Sequence, residues 1–205
     1  MESKQLKVHL TQFGAASIIA TALSIAAIAM PYWMNIQGDK SVGLYQSQNH
    51  GSAQLFNTEC HGTMSEIECG ILDATKISGV VSIMFGGIAS FIYFLPPKVF
   101  ASLPAFMAVS GSLGQLIFGI MTFVLWVYFK RDYFTDDGIN QEYPTFGADD
   151  LSYSFAFWMW VAATILSFLI VSSGYFILAK TGCMEKPRSD SMTAFGDYME
   201  VRTKD

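Results

Sequence analysis

Two cysteines, with two histidines and a glutamate close by in the sequence, are the residues of this chain best suited to chemistry. Cys60 and Cys69 have eight residues between them. Such a pair could form a disulfide, or bind a metal together with His50, Glu59 and His61. The spacing matches no zinc signature, so the metal hypothesis is the weaker one. No H-E-x-x-H, G-x-S-x-G or phosphate-binding glycine motif occurs, and we expect neither an enzyme nor a cofactor.

The chain that carries these cysteines is unusually apolar. Of its 205 residues 52% are hydrophobic and 14% are charged, whereas soluble domains have roughly 25% charged residues. Four uncharged runs each reach the length of about 20 residues that a membrane-spanning helix needs. The net charge of −5 lacks the basic surplus of nucleic-acid-binding proteins. The composition therefore predicts a multi-pass membrane protein.

Four spans divide the chain into nine segments. They are 1–12 (N-terminus), 13–33 (span one), 34–76 (loop one), 77–95 (span two), 96–103 (short loop), 104–129 (span three), 130–152 (loop two), 153–179 (span four) and 180–205 (tail). A cleavable signal peptide is the alternative for span one, because 27–29 resembles a cleavage site. The apolar run exceeds the usual length of about 7–15 residues, so we expect an uncleaved helix. Tyr32 and Trp33 would end it as an interfacial aromatic pair.

The distribution of basic residues orients the four spans. Eight Lys and Arg lie on the side of both termini and four on the other side, which predicts cytoplasmic termini. Loops one and two would then be extracellular, where the oxidising environment favours a disulfide between Cys60 and Cys69. That bond would stabilise the fold by about 2–4 kcal/mol. Both loops are acidic. The candidate residues for charge selectivity or partner contact are Asp39, Glu59, Glu66 and Glu68.

Loop one has the pattern of short strands. Residues 42–45 and 53–56 flank a turn that contains Asn49, His50 and Gly51. Residues 66–71 alternate polar and apolar types, which predicts a half-buried strand. In loop two, residues 143–146 could form an edge strand.

Small residues recur every four positions in the spans and predict close helix packing. The stripes are Ser78, Ser82, Gly86 and Ser90; Ala16, Ala20 and Ser24; and Gly111, Gln115 and Gly119. Packing within the bundle is the favoured interpretation, and a dimer face is the alternative. Gln115 is the single amide deep in a span, and we expect it to bond a neighbouring helix rather than serve transport.

The polar tail offers two modification or sorting signals. Cys183 lies close to span four and is a candidate for palmitoylation, with a free thiol as an equal alternative. Tyr198 and Val201 have the spacing of a Tyr-x-x-apolar sorting motif, a pattern that is also common by chance.

Taken together, Trp33, the sequence Gly43-Leu44-Tyr45, the two cysteines of loop one and Lys76 resemble the claudin, peripheral myelin protein and calcium-channel gamma-subunit superfamily. The resemblance covers most of the chain. It implies a left-handed four-helix membrane bundle with a small extracellular antiparallel β-sheet, which the signature residues anchor to the bundle. Tyr45 replaces the usual Trp, and Cys60 follows it by fifteen residues. The chain therefore resembles a divergent, invertebrate-style member.

The resemblance implies two functions. The first is a claudin-like protein of cell–cell junctions or adhesion, whose acidic surface sets paracellular cation permeability. The alternative is an auxiliary subunit that modulates an ion channel or neurotransmitter receptor. The expected partners are membrane lipid and either further copies of the chain, in cis or in trans, or a pore-forming subunit. We expect no nucleic acid and no small-molecule substrate. The expected location is the plasma membrane, at cell junctions under the first function.

Overall fold

Four long helices account for most of the structure, a computed structural model that describes residues 3–36, 40–49, 52–55, 66–93, 103–135 and 151–180. The helices are α1 (Ser3–Ala29), α2 (Glu66–Tyr93), α3 (Leu103–Thr135) and α4 (Phe155–Lys180). Each contains a stretch that is long and apolar enough to cross a membrane: Thr11–Ala29, Cys69–Tyr93, Phe106–Arg131 and Phe155–Ile177. The four apolar helices indicate a multi-pass membrane protein, as the composition predicts.

The helices form a closed ring. α1 packs against α2 and α4, and α3 packs against the same two helices. Between neighbouring helices, the residue numbers of the contacting residues rise along one helix as they fall along the other. Consecutive helices therefore run antiparallel. For example, the missing Cβ of Gly79 faces Ile28, whereas that of Gly86 faces Thr21. An antiparallel ring of this kind buries one face of every helix and leaves the opposite face exposed.

The stripes of small residues lie at the helix–helix contacts, as predicted for packing within the bundle. Ser78, Ser82 and Gly86 are buried on α2, and Gly111 on α3 lies against the backbone and Cβ of Ala89. Because these side chains are short, neighbouring backbones approach closely. The packing prediction is confirmed for these positions.

Hydroxyl and amide groups join three of the helices inside this apolar bundle. Ser17 Oγ of α1 and Ser90 Oγ of α2 are 2.9 Å apart, and Ser78 Oγ and Thr122 Oγ1 join α2 to α3 at 2.9 Å. Gln115 Nε2 lies 3.5 Å from Thr21 Oγ1. The expectation that Gln115 bonds a neighbouring helix is therefore confirmed.

A five-stranded antiparallel sheet lies at one end of the bundle. Its strands are β1 (Met34–Ile36), β2 (Lys40–Val42), β3 (Gln46–Asn49), β4 (Ser52–Leu55) and β5 (Leu151–Tyr153), in the order β4-β3-β2-β1-β5. β1 follows α1 and β5 precedes α4, so the chain ties the last two strands at one edge of the sheet to two adjacent helices. Met34 pairs with Val42 and with Tyr153, which places these three residues on one face. Met34 and Val42 are buried in the cluster shared with the bundle.

The chain reverses between β3 and β4, as predicted for residues 49–51, and Asn49 lies opposite Ser52. The strand before this reversal is Gln46–Asn49 and not the predicted 42–45. The strand predicted over 42–45 is wrong beyond Val42, because residues 43–45 connect β2 to β3. β5 was not predicted, because the predicted boundary between loop two and span four falls within it, at residue 153. The predicted edge strand at 143–146 lies outside the described residues.

The half-buried strand predicted over 66–71 is wrong, because these residues form the first turns of α2. Ile67 is 73% exposed while Cys69 is buried, so the apolar residues of this segment do not share one face as they would in a strand. The buried positions instead continue at three- to four-residue intervals through Leu72 and Thr75. Six residues were too few to distinguish this helical period from an alternating one.

Candidate functional site at the junction of sheet and bundle

Trp33 joins the sheet to the bundle through its backbone. Its N–H donates to the carbonyl of Val42 in β2 at 3.0 Å, and its carbonyl accepts from the N–H of Ser154 at 3.1 Å. The N–H of Ala156, in the first turn of α4, donates to Tyr32 O at 2.9 Å. Two adjacent residues after α1 thus bond both a strand and the beginning of α4.

The indole of Trp33 extends this connection into α1. Its Nε1 donates to the carbonyl of Ala27 at 2.6 Å. This carbonyl would ordinarily accept the N–H four residues later, but that residue is Pro31, which has no N–H. Pro31 therefore both ends α1 and leaves an acceptor for the tryptophan. The side chain that the sequence assigned to the membrane interface is in fact fully buried, and that expectation is wrong for Trp33.

Aromatic rings from α3 and α4 surround Trp33. Its ring centroid lies 5.3 Å from that of Trp126, 5.7 Å from that of Trp160 and 6.1 Å from that of Phe157. Trp160 Nε1 donates to the carbonyl of Gly119 on α3 at 3.0 Å. Tilted and edge-on ring pairs at such distances add about 0.5–1.5 kcal/mol each beyond their buried area. The cluster therefore holds α1, α3 and α4 together beneath the sheet.

Two of the remaining signature residues, Tyr45 and Lys76, contact each other at the third turn of α2. Gly43 is buried and Leu44 is fully buried, while the hydroxyl of Tyr45 donates to the carbonyl of Lys76 at 3.3 Å. Burial and, to a lesser extent, the carboxylate of Asp73 raise the pKa of Tyr45 above its usual value. Both causes favour the protonated phenol, which is the form that can donate this hydrogen bond.

Lys76 is buried beside Tyr45. Its Nζ lies 5.8 Å from the centroid of the Tyr45 ring and 3.8 Å from Oδ1 of Asp73. Within the part of the chain that the structure describes, no acceptor is within hydrogen-bonding distance of this Nζ. The structure thus brings Trp33, Gly43-Leu44-Tyr45 and Lys76 to one junction between sheet and helices.

A second connection, which the sequence did not reveal, links α3 to β5. Lys130 Nζ lies 4.0 Å from the centroid of the Tyr153 ring, at cation–π distance. That ring in turn stacks on Phe157 at 4.1 Å. Burial raises the pKa of Tyr153 above its usual value. Trp126 and Phe129 on α3 are also fully buried in this cluster. The available signal was the density of aromatic residues near the ends of spans three and four.

Several predicted residues are not placed by the described part of the structure. Cys69 is disulfide-bonded, but Cys60 lies outside the described residues and their pairing stays a prediction. Glu66 and Glu68 lie in the first turn of α2, and their side chains are outside that part. The other predicted residues outside it are Asp39, Glu59, Cys183, Tyr198 and Val201, together with His50 and His61 of the metal hypothesis. Among the described residues no group of three or more His, Cys, Asp or Glu is arranged to hold a metal ion.

The described groups of the junction are aromatic rings, backbone amides, the Tyr45 hydroxyl and the Lys76–Asp73 pair. Together they fix the orientation of the sheet on the helix bundle. No protein-family model matches the chain, and no curated protein matches its sequence. The class that the fold defines is a four-helix, multi-pass membrane-type protein with an antiparallel sheet fastened to one end.

Proposed function

We propose that the chain is a claudin-like tetraspan protein of the plasma membrane that acts by protein contacts at cell–cell junctions. The observation that carries the proposal is the attachment of the sheet through Trp33, whose backbone and indole bond β2, α1 and the residue preceding α4. A sheet held in this way presents a fixed surface, and a pre-organised surface loses little entropy on binding. The resemblance of Trp33, Gly43-Leu44-Tyr45 and Lys76 to the claudin superfamily supports the same function.

In the proposed topology the sheet is extracellular, both termini are cytoplasmic and the bundle is left-handed as in claudins. The excess of Lys and Arg on the side of the termini supports this orientation. The outward face of the sheet would then meet partners. Asn35 and Ser152 lie opposite each other on β1 and β5 and are both exposed on it.

Mixing two cell populations tests the junction function. Cells expressing the fluorescently tagged chain are mixed with each other and with cells that lack it. We expect enrichment where two expressing cells meet, and none where an expressing cell meets a non-expressing one. Asn35→Arg combined with Ser152→Arg places two charges on the outward face and should abolish the enrichment. Ile165→Val, a change on the exposed face of α4, should leave it intact. An even distribution of the unaltered protein would contradict the proposal.

Fixed negative charge lowers the energy of a nearby cation. The cell–cell junction would therefore prefer cations because of its acidic residues Asp39, Glu59, Glu66 and Glu68. We expect Glu66→Gln with Glu68→Gln to reduce the ratio of sodium to chloride permeability across an expressing cell layer. Ile67→Ala changes the same turn without changing its charge and serves as the control. If the double variant left the ratio of sodium to chloride permeability unchanged, the proposed function would be reduced to adhesion, without a cation-selective pore.

An auxiliary subunit of a channel or receptor is the second candidate function. The length of α3 favours it, since 33 residues extend about 50 Å at 1.5 Å per residue, beyond a bilayer core of about 30 Å. The projecting end would reach a partner's extracellular domain. Co-purification with one pore-forming protein, together with even surface distribution in the mixing experiment, would favour this function over the first.

A further inference from the structure

Contacts between the helices allow residues on different helices to be compared in height. The N–H of Ala156 bonds Tyr32 O, so the end of α1 and the first turn of α4 are level. On α3 and α4, Lys130 contacts Tyr153 and Phe123 contacts Phe157 at 5.5 Å between ring centroids. Tyr128 of α3 therefore lies at the height of the beginning of α4.

The exposed tyrosines and the exposed tryptophan of the described residues lie at this height, with one exposed phenylalanine beside them. They are Tyr32 after α1, Tyr128 on α3, and Phe155 and Trp158 on α4. Three of the four carry a hydroxyl or an indole N–H. Amphipathic rings of this kind concentrate where a bilayer meets water, because the ring prefers the acyl region and its polar group prefers the headgroups.

The distribution of charged residues along the helices also changes at the height of these rings. Asp73 and Lys76 on α2 and Lys130 and Arg131 on α3 lie level with these rings or on the sheet side of them. Toward the opposite end no Asp, Glu, Lys or Arg occurs in 77–93, 103–129 or 155–179. Of the large apolar side chains that are exposed in the described residues, all but Ile67 lie at the rings or beyond them. The rings thus separate a charged end from an uncharged slab.

The thickness of that slab agrees with a bilayer. From Trp158 to Ile177, the last residue of the apolar stretch of α4, the rise is about 28 Å at 1.5 Å per residue. The hydrocarbon core of a membrane is about 30 Å thick.

We propose that Tyr32, Tyr128, Phe155 and Trp158 form an aromatic girdle that binds the headgroup–acyl boundary of a phospholipid bilayer. The girdle sets the depth of the protein in the membrane. The whole sheet and about the first three turns of α2 then stand in water, because α2 leaves the membrane near Lys76. The inference is independent of the proposed junction function, since it concerns lipid contact alone.

Tryptophan fluorescence tests the girdle directly, because Trp158 is 57% exposed while Trp33, Trp126 and Trp160 are buried. The full chain is reconstituted into phosphatidylcholine vesicles whose acyl chains are brominated either near the headgroup or near the methyl end. Bromine quenches a nearby indole. We expect a larger fractional loss of fluorescence with bromine near the headgroup, and Trp158→Phe should remove most of the quenchable emission.

A second reporter calibrates the depth. Phe168 lies on the same helix, is also exposed, and is about 15 Å further along the axis. In the double variant Trp158→Phe, Phe168→Trp, quenching should be stronger with bromine near the methyl end. If Trp158 showed this deep pattern instead, the girdle would not be at the boundary. If Trp158 were unquenched in both lipids while the second reporter responded, something other than lipid would cover the girdle. Either result overturns the proposal.

Discussion

Trp33→Ala is expected to lower the free energy of unfolding by about 3–5 kcal/mol, the range measured for deletion of a large buried aromatic side chain. The side chain is fully buried, and its removal leaves a cavity bordered by Trp126, Phe157 and Trp160. It also leaves the carbonyl of Ala27 without its indole donor. The loss should appear in denaturant titrations of the purified protein in detergent, followed by circular dichroism.

Two further variants separate the contributions of Trp33. Trp33→Phe keeps most of the buried area but removes the donor to Ala27 O, so we expect a smaller loss of about 1–3 kcal/mol. Trp158→Phe changes an exposed tryptophan and should stay within roughly 0.5 kcal/mol of the unaltered protein. Equal stabilities of Trp33→Ala and Trp158→Phe would show that Trp33 does not fasten the sheet to the bundle.

The second large expected effect is the loss of stability when Gly86 on α2 is replaced by alanine. A Cβ at Gly86 would lie 2.5 Å from Thr21 Oγ1 and 2.6 Å from Cδ and Nε2 of Gln115. Thr21 cannot move freely, because its hydroxyl donates to the carbonyl of Ser17 at 2.8 Å. We expect Gly86→Ala to cost about 1–3 kcal/mol, the usual penalty for overpacking. The measurement is again denaturant unfolding in detergent.

Gly87 provides the matched control. It is exposed, and a Cβ there would meet nothing within 4 Å. Because alanine favours a helix over glycine by up to about 1 kcal/mol, Gly87→Ala should be neutral or slightly stabilising. If both alanine variants behaved alike, the contact of α1 and α3 at Gly86 would have no energetic weight. The two substitutions are chemically identical, so helix propensity cannot account for a difference between them.

Much of the bundle could be predicted from local pattern. Apolar runs of this length identify membrane helices because a helix satisfies its backbone polar groups within its own segment, so the requirement acts on each segment separately. The stripe that includes Ser82 and Gly86 predicted close packing from local pattern as well, because small residues at four-residue intervals lie on one face of a helix. Gln115 was expected to bond another helix because an amide in an apolar span requires a partner.

The junction required the tertiary structure. A tryptophan after an apolar run suits either a lipid interface or a buried core, and only the surrounding rings of Trp126 and Trp160 decide that Trp33 is buried. Its partner Ala27 depends on the absence of an N–H at Pro31, but the sequence does not show that an indole returns to that carbonyl.

The sequence by itself determined the four apolar helices, their small-residue faces and the signature residues in and beside loop one. The tertiary structure decided that residues 66–71 extend α2, that 151–153 complete a sheet, and that the indole of Trp33 bonds the carbonyl of Ala27. The physical reason is the range of the interactions. Helix formation and membrane insertion depend on residues close in the chain, whereas the pairing of β1 with β5 joins residues more than a hundred positions apart, such as Met34 and Tyr153. The packing of the Trp33 ring against Trp126 and Trp160 is similarly long-range.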